Sequence, residues 1–486
     1  MARLTPYAWQ LRDQEILRAN GYIGLVAIEA GGGKSLTATL ALRDAKPRVT
    51  LIVAPKSTHH TAWIPTLRDN AGVEARVIGN DNKATKAALT DFLFGYPGVY
   101  LVSPQFVTRA DVSDWRGDML IWDEIHMGAV TPKSKLQRKA SGYHVSDGEP
   151  LNMRFRMRLA LSATPMRGDF SNMWGVAKFL WGPTHYLRGQ IAHDNFIMWQ
   201  ADRMNYQSVY TNQRNPDGTP KRVKQYLSES QPGRLMFEMP AVILHKRRET
   251  CCAEPSHQGG FLPTEEPQII PRTVELTPKQ RKAVLEMDQH MMTWIGDNPL
   301  TADISLTQKQ RVRQLTLAEA EVETYEVDGE EKTRVVFDKE AKSPVIEEIK
   351  HILSNLPEDE PVVVYTDSQI FAEVMVHQIE GAAEYSGVRK ADLNGFGKDY
   401  RVLVGTVAAI GTGTAGLNHV ASTEIFADQP ISLTMLTQSS ARLDRLDNTR
   451  RVQRYILLDD MGVQSGRMES LWEQQVMVSR SLRRVA

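Results

Sequence analysis

A chain of 486 residues is longer than one hydrophobic core usually supports, so two or three domains are expected. Charged residues make up 24% of the chain and hydrophobic residues 42%, as in ordinary globular proteins, and 58 basic residues balance 58 acidic ones. A net charge of zero argues against a histone-like role, because any polyanion would have to be held by a local basic surface.

The two cysteines, Cys251 and Cys252, are adjacent, which is neither a zinc pattern nor a favourable disulfide geometry. They are expected to be reduced thiols. The N-terminal segment lacks the apolar core of a secretory signal, and no apolar stretch approaches the ~20 residues that a membrane span needs. The sequence therefore predicts a soluble, cytoplasmic protein.

Short apolar runs alternate with helical or loop segments in the first third of the chain. Each run ends at a small or polar residue, as expected at the carboxyl edge of a parallel sheet, where ligands bind in open α/β folds. The predicted strands lie within residues 22–30, 49–55, 99–104, 119–124 and 158–164.

The alternation stops in residues 181–265, which are predicted to form an insertion of helices and loops without a third sheet. Residues 277–295 have helical spacing, and residues 324–337 predict a hairpin that turns at Asp328-Gly329. Aromatic residues of the insertion are predicted to form its core, with base stacking as the alternative: Trp181, Tyr186, Phe196, Trp199, Tyr206 and Tyr210.

A second parallel α/β unit is predicted where the alternation resumes. Its segments are residues 343–356, 361–367, 400–406, 423–428 and 454–460. The tail, residues 461–486, predicts a helix.

A glycine-rich segment, GGGKS (31–35), follows a predicted strand and begins a predicted helix. Glycines let backbone N–H groups approach phosphate oxygens, and a helix N-terminus favours an anion. Lys34 would reach the β- and γ-phosphates of a nucleotide, and the Ser35 hydroxyl would ligate magnesium. A strict phosphate-binding loop has glycine where this chain has Ile28. The strand–loop–helix context nevertheless favours phosphate binding over a structural turn.

An acidic pair ends another predicted strand, in WDEIH (122–126). Asp123 would hold magnesium, and Glu124 would orient and deprotonate the attacking water. His126 would contact the γ-phosphate or connect the nucleotide site to the other domain. A helix cap or a solvated loop would explain the pair alone, but not its position downstream of GGGKS.

LSATP (161–165) also ends a predicted strand. A tight turn before a helix is the simpler explanation of this segment alone. In a functional interpretation, Ser162 and Thr164 would bond the acidic pair and relay its state. The order along the chain of the glycine-rich loop, the acidic pair and then SAT favours the functional interpretation.

QSSARLDR (438–445) places Arg442 and Arg445 three residues apart, which on a helix would put them on one face. Taken alone, the segment would form a solvated arginine face paired with Asp444 and Asp447.

These segments together resemble the DExH ATPases of helicase superfamily 2, most closely the Swi/Snf-like DNA-translocating branch, over about residues 4–460. LRDQ (11–14) is similar to the N-terminal glutamine element, IEAGGGKS to motif I, LIVAPKSTHHTAW (51–63) to motif Ia, LVSPQF (101–106) to motif Ib, WDEIHMGAVTPKSK to motif II and LSATP to motif III. HKRRE (245–249) with VELTPKQ (274–280) resembles the branch's arginine-pair segment. VVVYTDSQ (362–369), VGTVAAIGTGTAGLN (404–418) and QSSARLDR resemble motifs IV, V and VI.

The resemblance implies an α/β fold with two tandem RecA-like P-loop NTPase domains and a mainly helical insertion between them. The implied ranges are residues 1–180 for domain 1, 181–340 for the insertion, 341–460 for domain 2 and 461–486 for a tail helix. The chain departs from the family at motif V, which is longer than usual, and at Ile431-Ser432-Leu433, which replaces a Trp-Asn-Pro segment.

The resemblance also implies ATP and Mg²⁺ as cofactors. Arg442 and Arg445 would be arginine fingers that reach the γ-phosphate from domain 2, which typically accelerates hydrolysis by ~10³–10⁵. The implied catalytic residues are Lys34, Asp123, Glu124, Arg442 and Arg445. The implied ATP ligands are Gln14, which would read adenine, with Gly31, Gly32, Gly33, Lys34, Ser35, His126 and Gln438, and the implied magnesium ligands are Ser35 and Asp123.

The implied partner is single- or double-stranded DNA, held by its phosphates without sequence specificity, with replication or recombination proteins as further partners. The residues at the strand ends where the family holds one strand's phosphates are Lys56, Ser57, Ser103, Ser368 and Thr406.

The sequence therefore predicts a DNA-stimulated ATPase that translocates on DNA as a helicase or translocase. Two alternatives stay open: an RNA-dependent DExH helicase, and a nucleotide-gated scaffold with little turnover. The arginine-pair segment favours the DNA branch over RNA.

Overall fold

The structure of the chain is a computed structural model, and it divides into two compact units: residues 1–262 with 474–486, and residues 263–473. The described residues are 6–143, 148–182, 186–187, 190–191, 195–214, 217–239, 241–246, 249, 265–302, 304–327, 330–414, 416–445 and 450–482. The two cysteines and Asp447 lie outside them.

The first unit contains an α/β sheet followed by a long hairpin. Its elements are α1 (Ala8–Ala19), β1 (Ile23–Ile28), α2 (Lys34–Ala45), β2 (Val49–Val53), α3 (Lys56–Thr58), a π-helical turn (His59–Trp63), α4 (Ile64–Ala71), β3 (Ala75–Val77), α5 (Lys83–Leu93), β4 (Gly98–Val102), α6 (Pro104–Arg109), β5 (Gly117–Trp122), α7 (Lys135–Ser141), a 3₁₀ helix (Leu151–Arg154), β6 (Phe155–Leu161), α8 (Asn172–Trp181), β7 (Tyr186–Leu187), β8 (Gln190–Ile191), α9 (Phe196–Arg203), β9 (Met204–Arg214), β10 (Pro220–Glu229), α10 (Arg234–Glu238) and β11 (Val242–His245).

The main sheet of the first unit is parallel, with strand order β11-β1-β6-β5-β2-β4-β3. It contains all five strands predicted from the first third of the sequence. Strand β2 is buried along its whole length, because both faces of the sheet are covered. This explains why such strands read as continuous apolar runs rather than as alternating patterns.

The prediction that residues 181–265 form helices and loops without a third sheet is wrong. Strands β9 and β10 form an antiparallel hairpin of 11 and 10 residues, separate from the main sheet. The sequence signal is the Asp217-Gly218 dipeptide, which is common in hairpin turns. It was outweighed by the polar composition of the stretch, which is typical of a loop but also of a ribbon exposed on both faces.

The second half of the chain also combines a parallel sheet with hairpins. Its elements are β12 (Gln268–Val274), α11 (Pro278–His290), β13 (Met292–Ile295), β14 (Asn298–Thr301), α12 (Ser305–Leu315), β15 (Glu321–Val327), β16 (Glu330–Val336), α13 (Pro344–Ser354), β17 (Val362–Thr366), α14 (Gln369–Gln378), β18 (Ala382–Tyr385), a 3₁₀ helix (Leu393–Gly395), β19 (Val402–Thr406), α15 (Val407–Gly413), a second 3₁₀ helix (Leu417–His419), β20 (Thr423–Phe426), α16 (Leu433–Ser440), β21 (Gln453–Asp459) and α17 (Val463–Ser481).

The second sheet is also parallel, with strand order β12-β21-β20-β17-β19-β18. A cluster of buried side chains from β17, β19, α13 and α14 forms one side of its core. The two tandem RecA-like parallel sheets predicted from the sequence are therefore confirmed, as is the tail helix, α17.

The segment between the two sheets is less helical than the sequence predicts. The predicted hairpin is confirmed as β15–β16, although its turn residues Asp328 and Gly329 are outside the described residues. The predicted helix 277–295 ends at His290, because Met291 adopts a left-handed conformation (φ 58°) and the chain continues into β13. Hairpins thus accompany the helices, and the insertion is not mainly helical.

Among the described residues, no helix combines the length and the apolar character that crossing a membrane requires.

Candidate nucleotide site

The GGGKS segment connects the buried strand β1 to helix α2, as the sequence predicts. Gly31 and Gly33 have φ angles of 82° and 87°, a left-handed conformation that side chains rarely adopt. The Lys34 ammonium donates a hydrogen bond to the Ile28 carbonyl oxygen at 3.2 Å, across the mouth of the loop. Ser35 is half-buried in the first turn of α2. The loop therefore places a cation, a hydroxyl and the N-terminal amides of α2 together, which suits a phosphate.

Two glutamines of α1 face α2, and the sequence predicted only the second of them. Gln14 donates its amide to the Thr37 carbonyl oxygen at 3.0 Å and is buried. Gln10 lies nearer to the loop: its Nε2 atom is only 2.9 Å from where a Cβ on Gly33 would stand. The four-residue spacing, which puts both side chains on one face of α1, is the signal that could have found Gln10.

The buried Asp123 carboxylate follows β5 and receives two hydrogen bonds. The Trp63 indole Nε1 donates to its Oδ2 at 2.9 Å, and the Glu124 backbone N–H donates to its Oδ1 at 3.0 Å. Burial raises the pKa of Asp123 to about 6, and the neighbouring Glu124 charge contributes, while Trp63 and Lys34 oppose the shift. The charge of Lys34 thus acts on Asp123, whose pKa of about 6 is close to neutral pH.

Glu124 adopts a left-handed backbone conformation, with φ 48°. For a residue with a side chain this costs about 1–3 kcal/mol, and such strain is concentrated at functional sites. Its Oε2 atom is buried and makes no hydrogen bond within the described residues. A carboxylate oxygen held in this way is available to a water molecule or a ligand.

His126 is buried and turned toward LSATP. Its Nδ1 atom lies 2.8 Å from Ser162 Oγ and 3.3 Å from Glu124 Oε2. Burial lowers the pKa of His126 to about 3, with Arg167 and Lys34 contributing, so the imidazole is neutral at physiological pH. The contact with Glu124 is therefore not an ion pair, and Ser162 is linked to Glu124 through His126.

Ser162 Oγ also accepts the Thr164 backbone N–H at 3.0 Å. Among the described residues, Ser162 thus bonds His126 and not the acidic pair directly, and the relay stays a prediction.

The side chains here suit magnesium by their chemistry. Asp123 and Ser35 offer a carboxylate and a hydroxyl, the hard oxygen ligands that Mg²⁺ prefers. Within the described residues there is no group of three or more His, Cys, Asp or Glu side chains that would hold a metal by itself.

The two arginines of the second unit differ in position. Helix α16 ends at Ser440, so Arg442 and Arg445 lie in the turn beyond it, and the predicted common helix face is wrong. Arg442 donates to the Thr414 carbonyl oxygen at 2.7 Å and also to the Gly411 carbonyl oxygen. Its guanidinium thus joins the motif V segment to the motif VI segment.

Arg445 is half-buried, and its Nε donates to the Ala441 carbonyl oxygen at 3.1 Å. Gln438 lies in α16 where α15 approaches closely, since a Cβ on Gly411 would stand 3.6 Å from the Gln438 Cβ. Both arginines thus bond main-chain carbonyls of the second unit, and both stay candidates for the finger.

Three of the five candidate nucleic-acid residues are helix N-caps. Ser103, Ser368 and Thr406 accept the backbone N–H groups of Phe106, Phe371 and Ala409 at 3.2–3.3 Å. Their hydroxyls therefore order the first turns of α6, α14 and α15, whose N-terminal amides suit phosphate.

Lys56 and Ser57, the other two candidates, lie in α3 and are exposed. Lys56 forms a surface ion pair with Asp81 at 2.8 Å. Exposed pairs of this kind contribute little, so the pair would exchange readily for a phosphate.

The chain was compared with known proteins. No family model matches it, and no curated protein matches its sequence. Among solved structures it is similar to the Sulfolobus solfataricus SWI2/SNF2 ATPase core in complex with dsDNA, with a TM-score of 0.40 and 14% identity, over 99% of this chain and 94% of that one. The α/β assignment rests on the two parallel sheets themselves.

Proposed function

We propose that the protein is an ATP hydrolase that is stimulated by DNA and translocates along it. The motifs of its two ATPase domains would lie in residues 1–180 and 341–460. The segment between these ranges also contributes β11 to the first sheet and β12 to the second. The observation that supports this most directly is the arrangement in the first unit: the GGGKS loop, the buried Asp123 and the strained Glu124 all follow strands of one parallel sheet at its carboxyl edge.

The proposed chemistry begins with the phosphates. Gly31, Gly32 and Gly33 would offer backbone N–H groups, and Lys34 would exchange its bond to the Ile28 carbonyl for the β- and γ-phosphates. Magnesium, when bound, would neutralise charge on the β- and γ-phosphate oxygens. Ser35 and Asp123 would hold it, with Trp63 keeping the Asp123 carboxylate in place.

Glu124 would orient the attacking water and accept its proton, since its buried Oε2 makes no hydrogen bond within the part of the chain that the structure describes. His126, neutral and bonded to Ser162, lies 3.3 Å from the same Oε2 atom and would help to position the Glu124 side chain. Ser162 and Thr164 would couple this position to the start of the segment after β6.

The second unit would complete the site. Arg445 would reach the γ-phosphate in the transition state, where such an arginine is typically worth ~10³–10⁵ in rate. Arg442 would hold motifs V and VI together so that Arg445 and Gln438 arrive in the correct arrangement. Binding of ATP would favour the closed state and its hydrolysis would release it, which is the basis of directed movement.

The DNA would be held by its phosphates, at Lys56, Ser57 and the capped helix ends that begin after Ser103, Ser368 and Thr406. Such contacts are independent of sequence and weaken with salt.

ATPase assays against duplex DNA, single-stranded DNA and RNA, run beside a strand-displacement assay, test the proposal. We expect stimulation by DNA, and Glu124→Gln should bind ATP without turning it over. Stimulation by RNA alone would favour an RNA-dependent helicase, and ATP binding without measurable turnover in the wild type would favour a scaffold. Full DNA-stimulated activity in Arg445→Ala would remove the finger assignment.

A further inference from the structure

The hairpin β9–β10 is an exposed ribbon. Among its described residues, none of 205–209 and 217–228 is buried, although hydrogen-bonded pairing continues along the strands. A two-stranded ribbon exposed on both faces gains little from a hydrophobic core and is marginal by itself. Its side chains are therefore better explained by what they contact outside the protein than by packing.

The base of the hairpin is firmly anchored. Met204 and Glu229, which pair across the strands, are both buried. The Glu229 carboxylate accepts the backbone N–H groups of Gly233 at 2.8 Å and Leu235 at 2.9 Å, which ties β10 to the start of α10. The hairpin therefore projects from a fixed origin, as a contact element requires.

One face of the hairpin combines aromatic rings with cations. Tyr226 lies opposite Tyr206, with ring centroids 5.9 Å apart, and the Lys224 ammonium is 4.2 Å from the centroid of Tyr206. Arg222 is two residues before Lys224 and so points to the same side. Tyr206 remains 50% exposed.

The opposite face has a different character. It carries Val209, Val223 and a pair of amides, in which Gln207 donates to Gln225 at 3.1 Å. Both tyrosine rings and the side chains of Arg222 and Lys224 thus lie on one side of the ribbon.

The charge of the hairpin supports an anionic partner. Residues 204–229 contain four basic side chains (Arg214, Lys221, Arg222, Lys224) and two acidic ones (Asp217 and the buried Glu229), a net charge of +2 in a chain whose total is zero. The hairpin β15–β16, residues 321–336, contains six acidic and two basic side chains, a net charge of −4. The two hairpins have opposite net charge, so the basic character of β9–β10 is not a general property of the hairpins in this chain.

We propose that the tyrosine-and-cation face of β9–β10, defined by Tyr206, Arg222, Lys224 and Tyr226, binds single-stranded nucleic acid. Cations that follow the phosphates beside aromatic rings that stack on bases are the chemistry of single-strand binding. In a duplex the bases are already stacked on one another, so the rings would add little there. The inference takes its class of ligand from the proposed function, but concerns a surface outside the nucleotide site.

Fluorescence anisotropy with a labelled 20-nucleotide DNA strand and the matching duplex, in the absence of nucleotide, tests this. Tyr206→Ala should weaken single-strand binding roughly 5- to 150-fold, the typical effect of losing one stacked base, and change duplex binding much less. Tyr206→Phe keeps the ring and should bind as the wild type does. The thermal unfolding midpoint of each variant checks that the fold is retained.

A salt titration gives a second, independent measurement. Arg222→Gln/Lys224→Gln should reduce the slope of log K against log salt by about 1.4 for the single strand, about 0.7 per phosphate contact. The matched control, Lys332→Gln/Arg334→Gln, removes the same charge from the acidic hairpin and should leave the slope unchanged. Three results would overturn the proposal: Tyr206→Ala weakens binding to strand and duplex equally, neither variant of β9–β10 weakens single-strand binding, or the control changes the salt slope as much as Arg222→Gln/Lys224→Gln does.

The same measurement separates this proposal from the proposed function, because binding without nucleotide does not depend on hydrolysis. A protein that binds the strand through Tyr206 but hydrolyses no ATP would contradict only the proposed function. If the protein is a DNA-stimulated ATPase but its single-strand affinity is unchanged by substitution of Tyr206, Arg222 and Lys224, only this inference would be contradicted. If the hairpin variants lost binding to an acidic polypeptide such as polyglutamate but kept binding to DNA, the face would be assigned to an acidic protein instead.

Discussion

The hydrogen bond from Trp63 to Asp123 gives a sharp test of the acidic pair. Trp63→Phe removes the indole N–H that lies 2.9 Å from Asp123 Oδ2, while keeping an aromatic ring in a fully buried position. We expect the variant to need more magnesium for hydrolysis, and to need it in a pH-dependent manner.

The magnitude follows from the charge of the acceptor. A hydrogen bond to a charged group contributes about 1.5–3 kcal/mol, which corresponds to about 1–2 pKa units. The pKa of Asp123, raised by burial to about 6, would rise further in the variant. From that value, the ionised fraction at pH 7 would fall from about 90% to roughly 10–50%. Because a metal binds the deprotonated ligand, the magnesium concentration for half-maximal activity should rise about 2- to 10-fold at pH 7.

Magnesium titrations of ATPase activity at pH 7 and pH 9 measure this effect. At pH 9 the carboxylate is ionised in both proteins, so the difference should shrink. Trp122→Phe is the matched control, since Trp122 is equally buried but its Nε1 has no hydrogen-bond partner among the described residues. A magnesium requirement that is unchanged in Trp63→Phe, or that rises equally at both pH values or equally in Trp122→Phe, would refute the reasoning.

Three further predictions follow from the site. Asp123→Asn should abolish turnover yet stabilise the metal-free protein by up to about 3 kcal/mol at pH 7–8. The reason is that a carboxyl pKa raised from 3.8 to about 6 lowers the stability of the wild type as the pH rises from 3.8 to about 6, so no gain is expected below about pH 4. Thermal unfolding of both proteins against pH measures this, and a constant or inverted difference would contradict it. Arg442→Ala should lower the unfolding midpoint of the second unit, by a few kcal/mol of stability, since it removes charge-assisted bonds to the Gly411 and Thr414 carbonyls; an unchanged midpoint would contradict its joining role. Gln10→Ala should raise the KM for ATP more than Gln14→Ala does, because Gln10 lies nearer the loop. The reverse order in steady-state kinetics would contradict this and favour Gln14 as the residue that contacts adenine.

Much of the fold is readable from the sequence because parallel strands are buried on both faces. Strands such as β2 and β17 are continuous runs of apolar residues, and the motif residues follow them directly. The loop, the acidic pair and LSATP were placed correctly at strand ends for this reason. Their grouping at one edge then follows from the parallel topology.

The sequence failed where exposed backbone pairing or a single backbone angle decides the structure. Hairpin β9–β10 has no buried face in its outer part, so it lacks the alternation that marks a half-buried strand. Helix α11 ends because Met291 adopts a left-handed conformation, which the residue pattern does not predict. Arg442 and Arg445 fit helical spacing, but α16 ends before them.

Side-chain partners were the least predictable part of the site. The sequence supplied His126 and Ser162 but not the bond between them, which depends on the packing of β5 beside β6. Gln10 was overlooked because Gln14 fitted the family motif better.

ATP hydrolysis at the GGGKS loop is proposed to respond to DNA. The most direct measurement is the steady-state ATPase rate of the wild type with and without saturating DNA, beside Lys34→Ala. The account predicts a rate that rises with DNA in the wild type and no turnover in Lys34→Ala. A rate that is the same with and without DNA, or one that survives in Lys34→Ala, would contradict it.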